Sequence, residues 1–300
     1  MLKSLYSGVS GMKGFQTKLD VIGNNIANVN TVGFKKSRVV FQDIINQNIS
    51  GATAPTTQSG GINVRQVGLG TKISSIDTMH TPGSPMSTNL GTDLAVEGDA
   101  YFVVSPDKAG QNEFLTKAGN FTLDAKGNFV NSNGYFVQGI TGAAGAETKV
   151  PINISSDTLV VPSVKFTSFS IDSNGYINVV DANGKSGKLA FDGTNYYLNN
   201  GLVNPNQQIS LATAVVTNPG GLKKVGNTMF AETGNSGTVT ANRIQNNSGG
   251  QIAAGILEMS NVDLTEEFTE MIVAQRGFQA NARTITTSDS ILEEVVNLKR

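Results

Sequence analysis

DLTEEFTEMIVAQRGFQANARTITTSDSILEEVVN, residues 263–297, carries Leu264, Met271, Phe278, Ile285 and Leu292 at intervals of seven. Phe268, Ala282 and Val296 follow three of these by four residues. This is the 3-4 spacing of a helix that lays one stripe against a partner helix. The second stripe is broken, because Gln275 and Asp289 hold two of its positions. Asp263, with Glu266 three residues on, supplies an N-cap and a capping-box partner. A helix over about 263–297 is roughly 50 Å long at the usual rise. That exceeds what a compact domain requires, so the spacing predicts a projecting helix.

The other end repeats the pattern. Leu5, Met12, Leu19 and Ile26 are seven apart, with Leu2, Val9, Phe15 and Ile22 beside them. Almost nothing between the ends has helical periodicity. Two accounts stay open on spacing alone: a pair of ordinary core helices, or terminal helices that pair with each other or with copies of themselves. Their position favours pairing, since a domain rarely sets its only long helices at its extremities around an all-strand middle.

Formal net charge is −1, which leaves no basic footprint for nucleic acid. Only 15% of residues are charged, while Gly (34), Asn, Ser and Thr are abundant. That balance suits a β-rich structural or extracellular protein. Zero cysteine excludes disulfides, thiolate metal sites and thiol catalysis. Polar residues interrupt every apolar run near Met1, so a cleavable signal peptide is not expected, and neither is a membrane helix.

Asn24-Asn25-Ile26-Ala27-Asn28-Val29-Asn30-Thr31-Val32-Gly33-Phe34 reads by composition as a helix end and turn. Lys35, Lys36 and Arg38 read as a solvated basic face. Phe41–Ile45 is a short amphipathic element. Residues 46–61 are polar and Gly-rich, cannot bury a core, and read as a linker or an arm that orders on a neighbour. From about 62 to 255 the pattern is strand and turn, with Asn133-Gly134, Asn174-Gly175, Asn183-Gly184 and Asn200-Gly201 as hairpin signals. Residues 121–127 and 169–175 form a weak internal repeat, which two hairpins explain.

The sequence predicts an α+β, mainly β protein, with terminal helices forming a coiled-coil layer and a strand-rich middle of hairpins. The expected division is 1–34 with 256–300 as the helical inner domain, 35–70 as a linker or arm, and 71–255 as a β-rich outer domain with little or no further insertion.

Catalytic constellations are sparse. His80 is the only histidine, in the turn-like Met79-His80-Thr81-Pro82-Gly83, and reads as a solvent-facing turn residue rather than a triad member. No phosphate loop or dinucleotide fingerprint is present. Asp172–Asn178 resembles a calcium loop only faintly: Gly175 is fourth rather than sixth, and Gly184 stands where the closing Glu belongs. It reads as a β-turn. Neither an enzyme nor a metal or cofactor site is expected.

The run Leu19–Lys35 (LDVIGNNIANVNTVGFK) resembles the N-terminal signature of bacterial flagellar hook and rod proteins. Met271–Arg283 (MIVAQRGFQANAR) is similar to that family's C-terminal signature, and Gly91–Phe102 with Phe114–Phe121 match its β-domain. The resemblance covers nearly the whole chain in order. It implies terminal helices lining a central channel, an outer strand-rich layer, export by the flagellar apparatus without signal cleavage, and growth at the tip under a cap protein. It also implies that the Asn passage belongs to a helix end packing between subunits. Carried onto this sequence, the interface residues are Leu5, Val9, Met12, Leu19, Ile22, Asn24, Asn25, Ile26 and Asn28 at one end. At the other they are Leu264, Phe268, Met271, Phe278, Ile285, Leu292 and Val296.

Within the family, Val67-Gly68-Leu69-Gly70 and Gly60-Gly61-Ile62-Asn63 look more like the hook protein than the distal rod protein. The resemblance therefore implies a hook subunit: a flexible extracellular tube that passes motor torque to the filament. Its partners would be further copies, the rod, the hook cap, the hook-filament junction proteins and the export apparatus, with no nucleic acid and no membrane insertion. The chain is short for a hook, and the rigid distal rod is the alternative. A β-rich adhesin with oligomerising helices is a more remote one.

Overall fold

The Asp263 carboxylate accepts hydrogen bonds from the Thr265 and Glu266 amides, and α2 (Leu264–Asn297) starts there. Its 34 residues carry no proline. The other long helix is α1 (Leu2–Ala27). The computed structural model describes the chain except for residues 1, 57–59, 109, 143–146, 155–165, 194, 200–206, 247–249 and 299–300. As the sequence predicts, two terminal helices flank a strand-rich middle.

The chain divides into two units, each discontinuous in sequence. The unit of the helices, called inner only after the family resemblance, takes residues 1–29, 36–79 and 262–300, and the other, called outer in the same sense, takes 30–35 and 80–261. These boundaries differ from the expected ones. Residues 36–70 belong to the unit of the helices, against which 37–43 pack, and the handover to α2 lies at 261/262 rather than 255/256.

In the inner unit, α1 and α2 run antiparallel. Gly8 lies opposite Ile285, Gly11 opposite Asn281, and Phe15 opposite Gly277. A Cβ on Gly277 would lie 2.6 Å from Phe15 Cζ, so glycine lets the ring sit on the α2 backbone. Against α1 packs an antiparallel pair, β1 (Ser37–Asp43) with β4 (Thr71–Thr78). The Phe41 ring is 5.9 Å from that of Phe15, which is why 37–43 folds as a strand with the helices. Beyond it, β2 (Asn46–Ser50) pairs with β3 (Arg65–Gly68), and every residue of both strands is exposed. The polar stretch therefore buries no core, as its composition dictates. Backbone hydrogen bonds nonetheless make it a hairpin rather than a loose linker.

The outer unit is built on a large antiparallel sheet. Its described order is Lys223–Gly226, Met229–Ala231, Phe114–Thr116, Ala100–Ser105, Ser210–Val215, Phe136–Thr141, Phe129–Val130, Thr122–Leu123. Ala100–Ser105 is buried throughout, which explains its unbroken apolar run. Ala100, Phe102 and Val104 enter one core, while Tyr101 and Val103 enter a smaller one with Leu115, Phe230 and Leu222. The first core is capped by a four-stranded sheet over Phe166–Asn199, through Ile171, Ile177, Val179, Leu189 and Tyr196.

The hairpin signals at 133–134, 174–175 and 183–184 are turns with φ of 78°, 79° and 77° at the glycines. Asn200-Gly201 lies outside the described residues. The Asp172 loop is a β-turn, with the Gly175 amide donating to the Asp172 carbonyl at 2.8 Å.

Gly119 lies tightly against the backbone of the strand Leu94–Glu97. Its carbonyl accepts from the Leu94 amide at 3.0 Å, and a Cβ there would lie 1.7 Å from the Leu94 carbonyl oxygen. Backbone cannot yield as a side chain can, so Gly119→Ala is expected to cost about 3 kcal/mol or more. Denaturant unfolding followed through the tyrosines of the outer unit checks this, and an unshifted midpoint would show the approach to be looser.

Candidate assembly surface and buried charge cluster

The helix pair of the inner unit buries less than its apolar content. On α2 the side turned to α1 is lined by Glu267, Met271, Ala274, Gly277, Asn281, Ile285, Ser288 and Leu292, which are buried or half-buried. Small and polar residues dominate it because the backbones approach closely. The heptad stripe read from sequence therefore straddles two faces. Met271, Ile285 and Leu292 lie on the packed side, whereas Leu264, Phe268, Phe278 and Val296 are exposed. With Ile272, Phe268 and Leu264 make an uncovered apolar line at spacing four, and Ile291, Val295 and Leu298 extend uncovered apolar surface toward the end.

On α1, Ile22 is buried, Leu5, Met12, Leu19 and Ile26 are half-buried, and Val9 is exposed. The asparagines part company. Asn24 is exposed, and Asn28 is half-buried and bonds back to the Asn24 carbonyl at 2.8 Å. Asn25 is 1% exposed. Its Nδ2 donates to the Ser37 carbonyl at 2.8 Å and to Glu267 Oε2 at 3.1 Å, and its Oδ1 accepts from the Ser37 amide at 3.0 Å. One amide side chain thus ties the end of α1 to β1 and to α2 within the same molecule.

Lys36 Nζ adds 2.6 Å and 3.9 Å pairs with Glu266 and Glu267, and Lys18 pairs with Glu270. Glu266, expected to close a capping box, turns to Lys36 instead.

In the outer unit the supposed solvated basic face is overturned at Lys35, which is 1% exposed. Its Nζ donates to Glu258 Oε1 at 2.5 Å and to the Thr81 carbonyl at 2.8 Å. Glu258, at the end of the strand Ile256–Glu258, is 5% exposed and also accepts from the Gly83 amide at 3.0 Å. Lys117, 3% exposed, faces Glu258 Oε2 at 3.9 Å and donates to the Gly98 carbonyl at 2.5 Å. Lys224 Nζ donates to the Lys35 carbonyl at 2.8 Å and lies over the Phe34 ring.

His80 belongs to the same cluster and is not a solvent-facing turn residue. Its Nδ1 shares a 2.7 Å hydrogen bond with Tyr101 Oη, and its ring packs 5.3 Å from Phe230. Only Lys35's position in a short basic run was visible in the sequence. A buried partner 223 residues away leaves no local mark.

Burial, with three lysines nearby, pushes His80 down to about 4. Burial and the neighbouring Lys35 push Lys117 down to about 8, against the pull of Glu258 and Asp99. Burial also raises Tyr101 and lowers Lys224. Charges so enclosed stabilise only as a set. Among the described residues no group of three or more His, Asp or Glu is placed to hold a metal ion, and no helix is long and apolar enough to cross a membrane.

The signs fix the pH dependence. Between about 8 and the ordinary lysine value of 10.5 the unfolded chain holds a proton at Lys117 that the folded chain has released. Stability therefore rises with pH across that window and the gain is lost as pH falls back through 8. Below 6.5 the unfolded chain takes up a proton that His80 refuses until about 4, so stability falls over that range. Denaturant midpoints between pH 8 and 10 are expected to climb in the wild type and to climb less in Lys117→Met. Lys35→Ala, which strands the Glu258 carboxylate, is expected to cost about 3–5 kcal/mol at pH 7 in the same assay.

Comparison with known proteins bears on both regions. The Flagella basal body rod protein family matches residues 5–35, the Flagellar hook protein FlgE/F/G D1 domain matches 95–179, and the Flagellar basal body rod FlgEFG protein C-terminal family matches 253–298. A Bacillus subtilis flagellar basal-body rod protein FlgG is 48% identical over 301 aligned positions, covering 100% of both chains. A Borreliella burgdorferi flagellar hook protein FlgE is 34% identical over 444 positions, again covering 100% of both. The flagellar basal-body rod protein FlgG of that organism is 35% identical over 303, covering 100% of both. The chain belongs to the FlgE/F/G family of flagellar hook and rod structural proteins.

Proposed function

We propose that the chain is a subunit of the flagellar hook, polymerising with copies of itself into a tube that bends as it turns and carries motor torque outward. The observation that carries this reading is the pair of faces on α2. One face is closed against α1, and the other, Leu264-Phe268-Ile272, has no cover in the single chain. An apolar line of this kind is stabilised when neighbouring copies remove it from water, at roughly 25 cal/mol per Å² buried.

The exposed hairpin β2–β3 favours the hook over a rigid shaft. It is held by backbone bonds and by exposed side-chain bonds, Lys3 to Gln47, Gln66 to Asn48 and Asn46 to Asp43, and buries no core, so it can shift against neighbours at low cost. Sparse surface charge acts the same way, since exposed ion pairs contribute little. The proposed setting is the extracellular flagellum, reached through its export apparatus without signal cleavage. The proposed partners are the rod, the hook cap and the hook-filament junction proteins, with no cofactor.

The distal rod is the second reading. The B. subtilis rod protein supports it, at 48% identity over a 301-position alignment, whereas the B. burgdorferi hook protein is 34% identical over a 444-position alignment.

Electron micrographs of the purified protein after polymerisation separate the two. Curved tubes are the expected result, straight ones favour the rod, and no tubes at all would overturn both. Deleting residues 46–61 is expected to change the bending stiffness of the tubes, and an unchanged stiffness would remove the arm from the account. A chain restricted to residues 30–261 is expected to build none. Circular dichroism is expected to show helicity rising from monomer to polymer, because α1 and α2 leave apolar surface exposed in isolation. Full helicity before assembly would contradict this.

A further inference from the structure

Three segments of the outer unit lead directly into the inner one: 30–35, 80–84 and 256–261. All three meet at one place, and their mutual bonds run through two side chains. Glu258 Oε1 receives Lys35 Nζ from the first segment and the Gly83 amide from the second. Lys35 Nζ in turn donates to the Thr81 carbonyl.

Backbone bonds repeat the triangle. The Gly33 amide donates to the Glu258 carbonyl at 2.8 Å, the Met259 amide to the Ser84 carbonyl at 3.0 Å, and the Asn261 amide to the Phe34 carbonyl at 3.4 Å. Asn261 Nδ2 donates to Thr81 Oγ1 at 2.9 Å. Glycines permit the closeness: a Cβ on Gly83 would be 1.9 Å from the Met259 carbonyl oxygen, and one on Gly33 would be 2.5 Å from the Ala118 amide nitrogen. Lys117 and Lys224 then brace the triangle against the sheet, from Gly98 and from the strand Lys223–Gly226.

We propose that the Lys35–Glu258 pair is a clasp that makes these three exits one mechanical element, so that the segments at 35/36, 79/80 and 261/262 cannot loosen singly. The two side chains are far apart in sequence and almost wholly enclosed, and no reacting group adjoins them. A carboxylate and an ammonium that shared only each other would be replaceable by an apolar pair. Here each also holds a backbone group of a third segment, Thr81 or Gly83, that no aliphatic side chain could satisfy. The clasp serves a hook or a rod equally and does not depend on which of them the chain builds.

Hydrogen exchange of the full-length chain at single-segment resolution tests it. In the wild type the amides of 33, 83 and 259–261 are expected to exchange through one shared opening. In Lys35→Met, and in Glu258→Gln, all three are expected to speed up together by roughly 100-fold or more, in line with loss of one partner of a buried pair. Strand Tyr101–Val104 should keep its rate. Acceleration confined to the segment carrying the substitution overturns the clasp. Should both variants fail to fold, Lys224→Met decides, because it removes only a brace reaching in from an exposed strand. A rise shared by the three segments supports the clasp, and a rise limited to 33–35, or none, overturns it.

Discussion

Enclosing the Lys35 ammonium is the constraint on which the architecture of the outer unit turns. A cation without water must find compensation on every side. It does so from a carboxylate that begins the approach to α2 and from a carbonyl in the return from β4. The same carboxylate meets Lys117, whose proton is held less tightly than in water because burial outweighs the attraction. Removing any one of these groups leaves the others stranded in a place that cannot solvate them. The outer unit is therefore pinned where the chain enters and leaves it, and its sheet can vary in loops and hairpins without moving those points.

The inner unit follows a different logic. Its helices are held by proximity rather than by large side chains. Gly8, Gly11 and Gly277 let backbone meet side chain, and Asn25 replaces apolar contact by three hydrogen bonds at the far end of the pair. A seam of small residues leaves the larger apolar side chains of α2 pointing away from α1. This is how one helix can be both a folded part of its own chain and a surface for another.

The helices, the Asp263 cap of α2 and the hairpin turns were legible in the sequence because each is governed by residues a few positions apart. Asp263, the 3-4 spacing and the Asn-Gly pairs each encode local geometry. The family was legible too, since LDVIGNNIANVNTVGFK and MIVAQRGFQANAR are long and ordered. What escaped was decided at a distance. The heptad count could not tell the packed face of α2 from the open one, because Ala274 and Ser288 line the packed face and neither is a conspicuous core residue. Lys35 and His80 looked like surface residues, since nothing near them in sequence announces Glu258 or Tyr101. Residues 36–45 read as the start of a linker because the Phe15 ring that Phe41 meets belongs to another element.

The division of the chain has a temporal side. The first 29 residues and the last 39 lie in one unit, with the other unit threaded between them. A chain delivered head first from any source, ribosome or secretion channel, can finish its β-sheet while the leading helix still waits for its mate. Closure of α1 on α2 needs both of these terminal stretches, whereas the sheet of the other unit needs neither.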